Sequence, residues 1–267
     1  MLGAIAGDII GSPYHSEKAD ADFPLFTENS CGTEISVMTL AVAEALMRVM
    51  PAHEKNFSDG RFKHEVIYWM KTLGKELKKI HYGRRFYAWI HVEKSFPYNS
   101  ESNGAALRVS PIAWAFDNLE DVEKFAGIAA SVTHKNETGV NYARAMAGMV
   151  FLMRMKKEKA DIKKYFEEKT GMTLSKTLDE IRHDFNFMTS APETVSAALI
   201  AFLEAENFED AVRKAISLGG EANATASMSG ALAEALYGIR TLTEVEAFER
   251  LERRLKFALE KWEQWKN

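Results

Sequence analysis

Two stretches of this sequence place oxygen-bearing side chains beside a glycine, where a predicted apolar helix begins. The first runs from Cys31 to Leu40 and carries Thr33 and Glu34 after a glycine; the second runs from Ser217 to Thr225 and carries Glu221 after a glycine pair. Hydroxyl and carboxylate oxygens are the ligands that hard divalent cations prefer, and helices of a bundle can aim several of them at one point. The pattern therefore suggests a metal site between two helix N-termini.

The same residues also have a purely structural interpretation. Thr33 is a good N-cap, and Glu34 and Glu221 are acids in a first helical turn, where each stabilises its helix by about 0.5–1 kcal/mol. Asp8 is different because it is the lone acid in an apolar helical run. A buried carboxylate is costly unless it is hydrogen-bonded, so we expect Asp8 to accept hydrogen bonds from a nearby helix N-terminus.

Composition and charge limit the class of protein. The chain has 267 residues, 46% of them hydrophobic and 27% charged, with a net charge of -4. These values favour one globular domain over residues 1–267 and give no basic excess for a nucleic-acid partner. The lone Cys31 excludes an internal disulfide, fits a cytoplasmic location and has no visible histidine partner, so we expect it to be buried. No apolar run is long enough for a membrane span, and residues 1–11 lack a basic leader.

Apolar residues recur at helical spacing along most of the chain, and no period-two run of β-branched residues occurs. The sequence therefore predicts an all-α fold. Helices are predicted over 2–10, 36–50, 117–132, 139–155, 194–204, 208–217, 221–237 and 244–265. A further helix is expected to begin near Ala105 and to be kinked by Pro111. We expect residues 58–92, a basic amphipathic pattern, to form a solvated helix face, and residues 156–169 to be exposed; 189–193 are expected to form a turn.

Several blocks, in order and spacing, resemble one known family. They are Gly3–Ser12, Phe23–Phe26, Val37–Ala43, Asn103–Pro111, Thr133-His134, Thr177–Arg182, Ala198–Glu204 and Ser217–Gly220. The sequence is thereby identified as resembling the ADP-ribosylglycohydrolase family. The resemblance implies a compact orthogonal bundle of helices with a cleft that binds ADP-ribose. In active members two magnesium or manganese ions activate water against the N- or O-glycosidic bond at the distal ribose.

The family's metal-binding motifs are altered in this chain. The family uses a Thr-Asp-Asp triplet and a Gly-Gly-Asp-x-Asp-Thr turn; the matching residues here are Thr33, Glu34, Ile35, Glu221, Asn223 and Ala224. Isoleucine and alanine supply no donor, and each glutamate extends its carboxylate by roughly 1.5 Å, the length of one C–C bond. Since Mg²⁺ requires oxygens at about 2.0–2.1 Å in octahedral array, we do not expect an ordinary paired site. Any Mg or Mn that binds would use Thr33, Glu34, Glu221 and Asn223.

Other departures from the family pattern also fall at cleft positions. His15 stands where many members carry a glutamate, and Ser102 follows Glu101 where a glycine follows an aromatic residue. A histidine-rich turn keeps only His134, and residues 191–193 replace a Cys-Gln-Gly-like turn. The blocks that pack the fold persist, so the pattern indicates altered or lost chemistry on a retained scaffold.

The predicted function is therefore binding of ADP-ribose or an ADP-ribosylated substrate by an eroded family member. The predicted catalytic side chains are Glu34 and Glu221. The predicted substrate-binding residues are Ser102, Asn103, Gly104, His134 and Gly220. One alternative is an active ADP-ribosyl hydrolase with a rebuilt one-metal or metal-free site, in which Glu34 or Glu221 is the general base. Another is a structural scaffold protein, for which a filled cleft is expected.

Overall fold

A computed structural model describes residues 1–14, 22–54, 56–182 and 189–266. Within these ranges the regular structure is helical, and the β-type pairs are two isolated bridges, Tyr98 with His134 and Ser102 with Ser190. The all-α prediction is confirmed. The first helices are α1 (Leu2–Gly11), α2 (Glu34–Val49), α3 (Asp59–Glu76), α4 (Arg84–His91), α5 (Ser110–Ala115), α6 (Leu119–Ser131) and α7 (Glu137–Arg154). They are followed by α8 (Lys159–Thr170), α9 (Leu178–Arg182), α10 (Ala191–Leu203), α11 (Phe208–Ile216), α12 (Ala222–Tyr237), α13 (Thr241–Glu249) and α14 (Arg253–Lys266).

Two predicted helical segments are each broken into a pair of helices. Residues 58–92 form α3 and α4, because the chain turns at 77–83 before a new helix begins after Gly83. Residues 244–265 fall in α13 and α14. Between those two helices Leu251 is buried and lies so close to Gly32 that a Cβ there would meet the leucine at 2.9 Å.

Pro111, which was expected to kink a helix, and Pro192, which was expected to lie in a turn, are each at the start of a helix. Pro111 is in the first turn of α5 and does not kink a longer helix, and residues 103–108 before it form a 3₁₀ helix. Pro192 likewise lies in the first turn of α10, where a turn was predicted. Proline fits this position because the first N–H groups of a helix have no intrahelical acceptor. The lysine-rich segment is also less exposed than expected, since Ile162 and Phe166 of α8 are fully buried.

Helices α1 and α12 approach each other closely at Gly7 and Gly11 of α1. A Cβ on Gly7 would lie 2.2 Å from the carbonyl oxygen of Ala226, and a Cβ on Gly11 would lie 2.5 Å from the Cα of Asn223. Larger side chains at these two positions would separate the helices. The glycines therefore allow Asp8, on the same helix, to reach the start of α12.

Helix α2 is buried along most of its length and packs against α1, α3, α5 and α14. Its Glu44 is 2% exposed and is paired with Lys261 at 2.6 Å and Arg254 at 3.4 Å, both on α14. These ion pairs fix α14 against α2. Among the described helices, none combines the length and apolar character needed to cross a membrane.

Candidate functional site

The N-termini of α2, α4 and α12 and the 3₁₀ helix Asn103–Arg108 border a cleft of about 390 Å³. Most of the predicted site residues contribute to its wall: Glu34, Ser102, Asn103, Gly104, His134, Glu221 and Asn223. Thr33 and Gly220 do not line this cleft. Gly220 is buried with a φ of 66°, a left-handed conformation that favours glycine, and it turns the chain into α12.

The buried carboxylate of Asp8 accepts hydrogen bonds from three residues, Thr33, Ser36 and Asn223. Its Oδ2 accepts from the backbone N of Thr33 at 2.9 Å, the backbone N of Ser36 at 3.1 Å and the Oγ of Ser36 at 2.5 Å. Its Oδ1 accepts from Thr33 Oγ1 at 2.6 Å and from Asn223 Nδ2 at 3.3 Å. The prediction that Asp8 binds a helix N-terminus is confirmed, and the helix is α2.

Thr33 is the N-cap of α2, as expected, and its hydroxyl is already fully engaged. Its Oγ1 accepts from the backbone N of Ile35 at 3.2 Å and donates to Asp8. The amide of Asn223 also donates to this oxygen, at 3.4 Å. Burial raises the pKa of Asp8, and the donors from Ser36 and Thr33 oppose that rise. Asp8, Thr33, Ser36 and Asn223 therefore form one hydrogen-bonded network, the Asp8 network, that joins α1, α2 and α12.

Glu34 follows Thr33 in the first turn of α2 and is the titratable group of the cleft whose state changes near neutral pH. Burial raises the pKa of Glu34 to about 7, and repulsion from Asp8 and Glu221 adds to the rise. A carboxyl group with such a pKa can hold or release a proton at physiological pH. Its position in a cleft makes it a candidate acid or base.

Glu221 precedes the first residue of α12 and is tied to the opposite wall. Its Oε2 accepts from Asn103 Nδ2 at 2.7 Å, and the same amide group donates to Thr194 Oγ1 at 3.2 Å. Asn103 is 6% exposed, so the amide is held between α10 and α12. The two predicted site residues Glu221 and Asn103 are thus brought into direct contact.

His134 and Ser102 form a second contact in the wall. The Nε2 of His134 is 3.2 Å from both the Oγ and the carbonyl oxygen of Ser102, and its Nδ1 is 2.8 Å from Thr133 Oγ1. Burial, together with the nearby Arg108 guanidinium, lowers the pKa of His134 to about 3. The imidazole is therefore neutral at pH 7, and it holds Ser102 in place through these contacts. His134 is buried, although a histidine in a turn is more often exposed.

Helix α4 supplies wall residues that the sequence did not indicate. Tyr82, Arg84, Arg85 and Phe86 line the cleft, so part of the segment expected to be a solvated face borders the site instead. The sequence does contain a signal: aromatic and arginine residues flank Gly83 at the point where the apolar periodicity breaks. Their proximity to the Asn103 loop depends on tertiary packing and has no sequence signature.

Comparison with known proteins identifies the family of this chain. The sequence profile of the ADP-ribosylglycohydrolase family matches residues 1–265. The chain belongs to the ADP-ribosylglycohydrolase family. It is 23% identical to ADP-ribosylhydrolase ARH3 of Mus musculus over 91% of this chain and 84% of that protein. It is 24% identical to ARH3 of Homo sapiens over 91% of this chain and 86% of that protein.

A solved structure supports the same architecture. The chain aligns with an ADP-ribosylglycohydrolase-related protein complex at a TM-score of 0.68 and 20% identity, covering all of this chain and 97% of the other. At this identity the likeness concerns the fold. Together with the family profile it confirms the ADP-ribosylglycohydrolase-type bundle expected from the sequence.

Ile35 and Ala224 are 3% and 1% exposed and offer no oxygen or nitrogen side-chain donor. Asp8, Thr33 and Asn223 are bonded to one another. In the part of the chain that the structure describes, no three His, Cys, Asp or Glu side chains are grouped as a metal site.

Two other residues singled out in the sequence have different outcomes. Cys31 is exposed, so the expectation of burial was wrong. Its backbone N donates to Ser12 Oγ at 3.0 Å. His15 lies outside the described residues.

Proposed function

We propose that this family member binds ADP-ribose, or the ADP-ribosyl group of a modified substrate, without the paired divalent ions of its family. The observation that carries the proposal is the composition of the cleft wall. Glu34 and Glu221 line it, whereas two other positions of the metal motifs are occupied by Ile35 and Ala224, which have no donor atom. The last two positions, Thr33 and Asn223, are hydrogen-bonded to Asp8. The cleft retains polar groups for a ligand while lacking carboxylates for two metals.

The polar groups of the cleft suit a ribose. Glu221 accepts from Asn103, and this orients both side chains beside the same space. Both N–H groups of the Asn103 amide are used on Glu221 and Thr194, so the carboxylate of Glu221 and the amide oxygen of Asn103 can accept from neighbouring hydroxyl groups of a sugar. The rings of Tyr82 and Phe86, with centroids 5.5 Å apart, add an apolar wall that suits a nucleobase or a ribose face.

The residues present do not fit a pair of Mg²⁺ or Mn²⁺ ions. Two such ions carry four positive charges, against which Glu34 and Glu221 can supply at most two negative charges. Mg²⁺ also requires near-octahedral oxygen ligands at about 2.0–2.1 Å, which two carboxylates cannot complete twice.

Isothermal titration with ADP-ribose in the presence of EDTA tests the proposal. We expect a dissociation constant below about 1 mM, corresponding to a binding free energy of about -4 kcal/mol or stronger. Glu221→Gln should weaken binding about tenfold, whereas Glu28→Gln, at an exposed position outside the cleft wall, should not change it. The absence of binding by the wild type at millimolar ADP-ribose would exclude this function.

A second candidate function is metal-independent hydrolysis, and the raised pKa of Glu34 favours it. In this reaction protonated Glu34 gives its proton to the leaving group as the glycosidic bond breaks. Glu221 takes a proton from the water whose oxygen bonds to the anomeric carbon. Solvent then returns the proton from Glu221 to Glu34. Paired carboxyl groups with separated pKa values serve these roles in glycoside hydrolysis.

Release of ADP-ribose from modified peptides in EDTA tests this candidate. Wild type should release it and Glu34→Gln should lower the rate at least a hundredfold, the usual contribution of general acid catalysis. If arginine-, serine- and nucleobase-linked substrates all remain intact while ADP-ribose binds, the protein is a binder only. The scaffold alternative predicts a filled cleft, whereas the structure has an open cleft of about 390 Å³.

A further inference from the structure

Residues 58–99 concentrate positive charge and aromatic rings in a chain that is acidic as a whole. They contain nine Lys or Arg against four Asp or Glu residues, and nine aromatic residues, whereas the chain has a net charge of -4 and 11% aromatic residues. We propose that the surface carrying this segment, outside the cleft, binds a single strand of nucleic acid. The proposal goes beyond the function proposed for the cleft and does not depend on it.

The phosphates of the strand are assigned to a surface groove of about 760 Å³, the basic groove. Three cations line it: Lys63 on α3, Lys135 just before α7, and Arg144 on α7. Lys63 and Lys135 are exposed, and neither side chain makes a hydrogen bond or ion pair with a residue that the structure describes. Among the described wall residues the one carboxylate is that of Glu137. An excess of unpaired cations around one concavity complements a polyanion.

The side chain of Arg144 is held in position by packing against α6. It lies over Gly127, where a Cβ would meet the Nε of Arg144 at 2.5 Å and its Nη2 at 2.8 Å. Within the described ranges this guanidinium has no hydrogen bond or ion pair. Its paired N–H donors match the oxygens of a phosphate. Arg144 is therefore placed before a ligand arrives and has donors left to offer.

Exposed aromatic rings lie beside the basic groove. Phe96 is 76% exposed and precedes Pro97, which is a residue of the groove wall. At the end of α4 the ring of His91 packs against Tyr87 with centroids 4.2 Å apart, and Tyr87 is 55% exposed. Bases of a single strand stack on such rings, whichever base is present.

Hydrogen bonds fix the segment that carries Phe96 to the groove. The backbone N of Tyr98 donates to the carbonyl oxygen of Thr133 at 2.8 Å, and the backbone N of Lys135 donates to that of Tyr98 at 2.9 Å. From α3 the Nζ of Lys71 donates to the carbonyl oxygens of Val92 and Glu93, at 2.8 and 3.0 Å. The rings and the cations therefore belong to one connected surface.

The combination of cations and exposed rings selects the class of polyanion. An acidic peptide would pair with the cations but has no base to stack on Phe96 or Tyr87. A duplex presents phosphates, but its base faces are stacked on one another. A single strand presents phosphates and base faces together, as this surface requires.

Fluorescence anisotropy with a labelled oligothymidylate of about twelve nucleotides tests the proposal. Three phosphate contacts, with Lys63, Lys135 and Arg144, predict that affinity falls about 18-fold between about 50 and 200 mM salt. The double variant Lys63→Gln/Lys135→Gln should bind at least tenfold more weakly at the lower salt. Since one contact remains, its affinity should fall only about threefold over the same range.

The matched control is Lys157→Gln/Lys164→Gln, which removes the same charge at exposed positions outside the groove wall. It should change the affinity by less than about twofold if contact in the groove, and not the overall charge, is responsible. Equal losses in the two double variants would overturn the proposal.

Substitution of Phe96 tests stacking separately from charge. Phe96→Ala should weaken binding about fivefold or more, with an unchanged salt dependence. Phe96→Trp keeps an aromatic ring and should bind within about twofold of wild type. Because Phe96 is 76% exposed, the melting temperature should be the same in all three proteins. Leu242→Ala, at a 72% exposed apolar position on α13, is the control and should not change the affinity.

Competition experiments distinguish the single strand from other polyanions. A duplex of the same length, or polyglutamate of the same charge, should displace the labelled strand at least tenfold less effectively than an unlabelled single strand. Equal displacement would show recognition of charge alone and would overturn the proposal. So would the absence of binding at about 100 μM protein in 50 mM salt.

The function proposed for the cleft is judged independently. Lys63, Lys135 and Phe96 do not line the cleft, so ADP-ribose should bind equally to wild type, Lys63→Gln/Lys135→Gln and Phe96→Ala. Loss of the nucleic-acid contact in these variants with unchanged ADP-ribose binding would support the basic groove as a separate site. Equal loss of both ligands would contradict it.

Discussion

Helices α2 and α4 both begin at the cleft, but side chains cap the N-terminus of α2 and no side chain caps that of α4. At α2 the buried carboxylate of Asp8 accepts from two backbone N–H groups, and Thr33 provides the cap. At α4 the N-cap is Gly83, and no side chain caps the helix. The N–H groups at the start of α2 thus donate to the Asp8 carboxylate, whereas those at the start of α4 have no side-chain acceptor among the described residues.

This difference separates the structural part of the site from the part available to a ligand. The Asp8 network joins three helices and has no free donor for an incoming molecule. At the start of α4 no side chain of the described residues caps the helix, and Arg84 and Arg85 are exposed. We therefore expect substitutions at α2 to affect stability most and substitutions at α4 to affect binding most. The following predictions test this contrast in order of decreasing effect on stability.

Asp8→Asn should cause the largest loss. An asparagine cannot accept all of the hydrogen bonds that Asp8 accepts, and its amide group would face other donors. We expect the free energy of unfolding to fall by about 3 kcal/mol, as measured by urea denaturation. Asp22→Asn, at an exposed position, is the control. A loss below about 1 kcal/mol would mean that the Asp8 network does not close α2.

Glu34→Gln should change the pH dependence of stability. The pKa of Glu34 is raised from 4.5 to about 7, so the folded protein holds a proton that the unfolded chain has lost in this window. The contribution of Glu34 to the free energy of unfolding therefore falls as the pH rises from about 4.5 to 7. Glu34→Gln removes this fall and should be more stable than wild type by about 1–3 kcal/mol at pH 8, with little difference at pH 4. Parallel curves for the two proteins would contradict the raised pKa.

Thr33→Ala should have a smaller effect, because it removes the cap of α2 but leaves Asp8 in place. The backbone N of Ile35 and the Oδ1 of Asp8 would each lose a partner. We expect a loss of about 1 kcal/mol in urea denaturation. Thr33→Ser keeps the hydroxyl and should recover most of this loss. If serine is no better than alanine, the hydroxyl does not cap the helix.

Gly83→Asp should have the smallest effect on stability, and of the opposite sign. A cap introduced at an open helix start adds a few tenths of a kcal/mol relative to glycine, at most about 1 kcal/mol. The comparison with Thr33→Ala sharpens the contrast, since the two substitutions add and remove a cap at helices bordering one cleft. A destabilised Gly83→Asp variant would show that the start of α4 is not open as described.

The sequence predicted the parts of the site that depend on local rules. Burying a charged carboxylate is costly unless it is hydrogen-bonded. The presence of Asp8 in an apolar helix was therefore enough to predict that it accepts hydrogen bonds from a helix N-terminus. The N-cap role of Thr33 followed from residue type and position. The apolar periodicity predicted α2, α7, α11 and α12 to within a few residues of their observed bounds.

The sequence did not predict contacts that depend on how distant elements pack. The hydrogen bond of Asn103 with Glu221 joins residues 118 positions apart. The place of Arg84 and Arg85 in the cleft wall depends on the turn at 77–83 between α3 and α4, and the single helical face predicted over 58–92 did not include that turn. Cys31 was expected to be buried by its residue type, but the segment that carries it lies at the surface.

Anomalous diffraction from crystals grown with ADP-ribose and excess Mn²⁺ tests most directly whether the cleft binds its nucleotide without paired metals. We expect density for ADP-ribose in the cleft and no pair of manganese peaks between Glu34 and Glu221. Two anomalous peaks about 4 Å apart at that position would show an intact two-metal site and would contradict binding without paired metals.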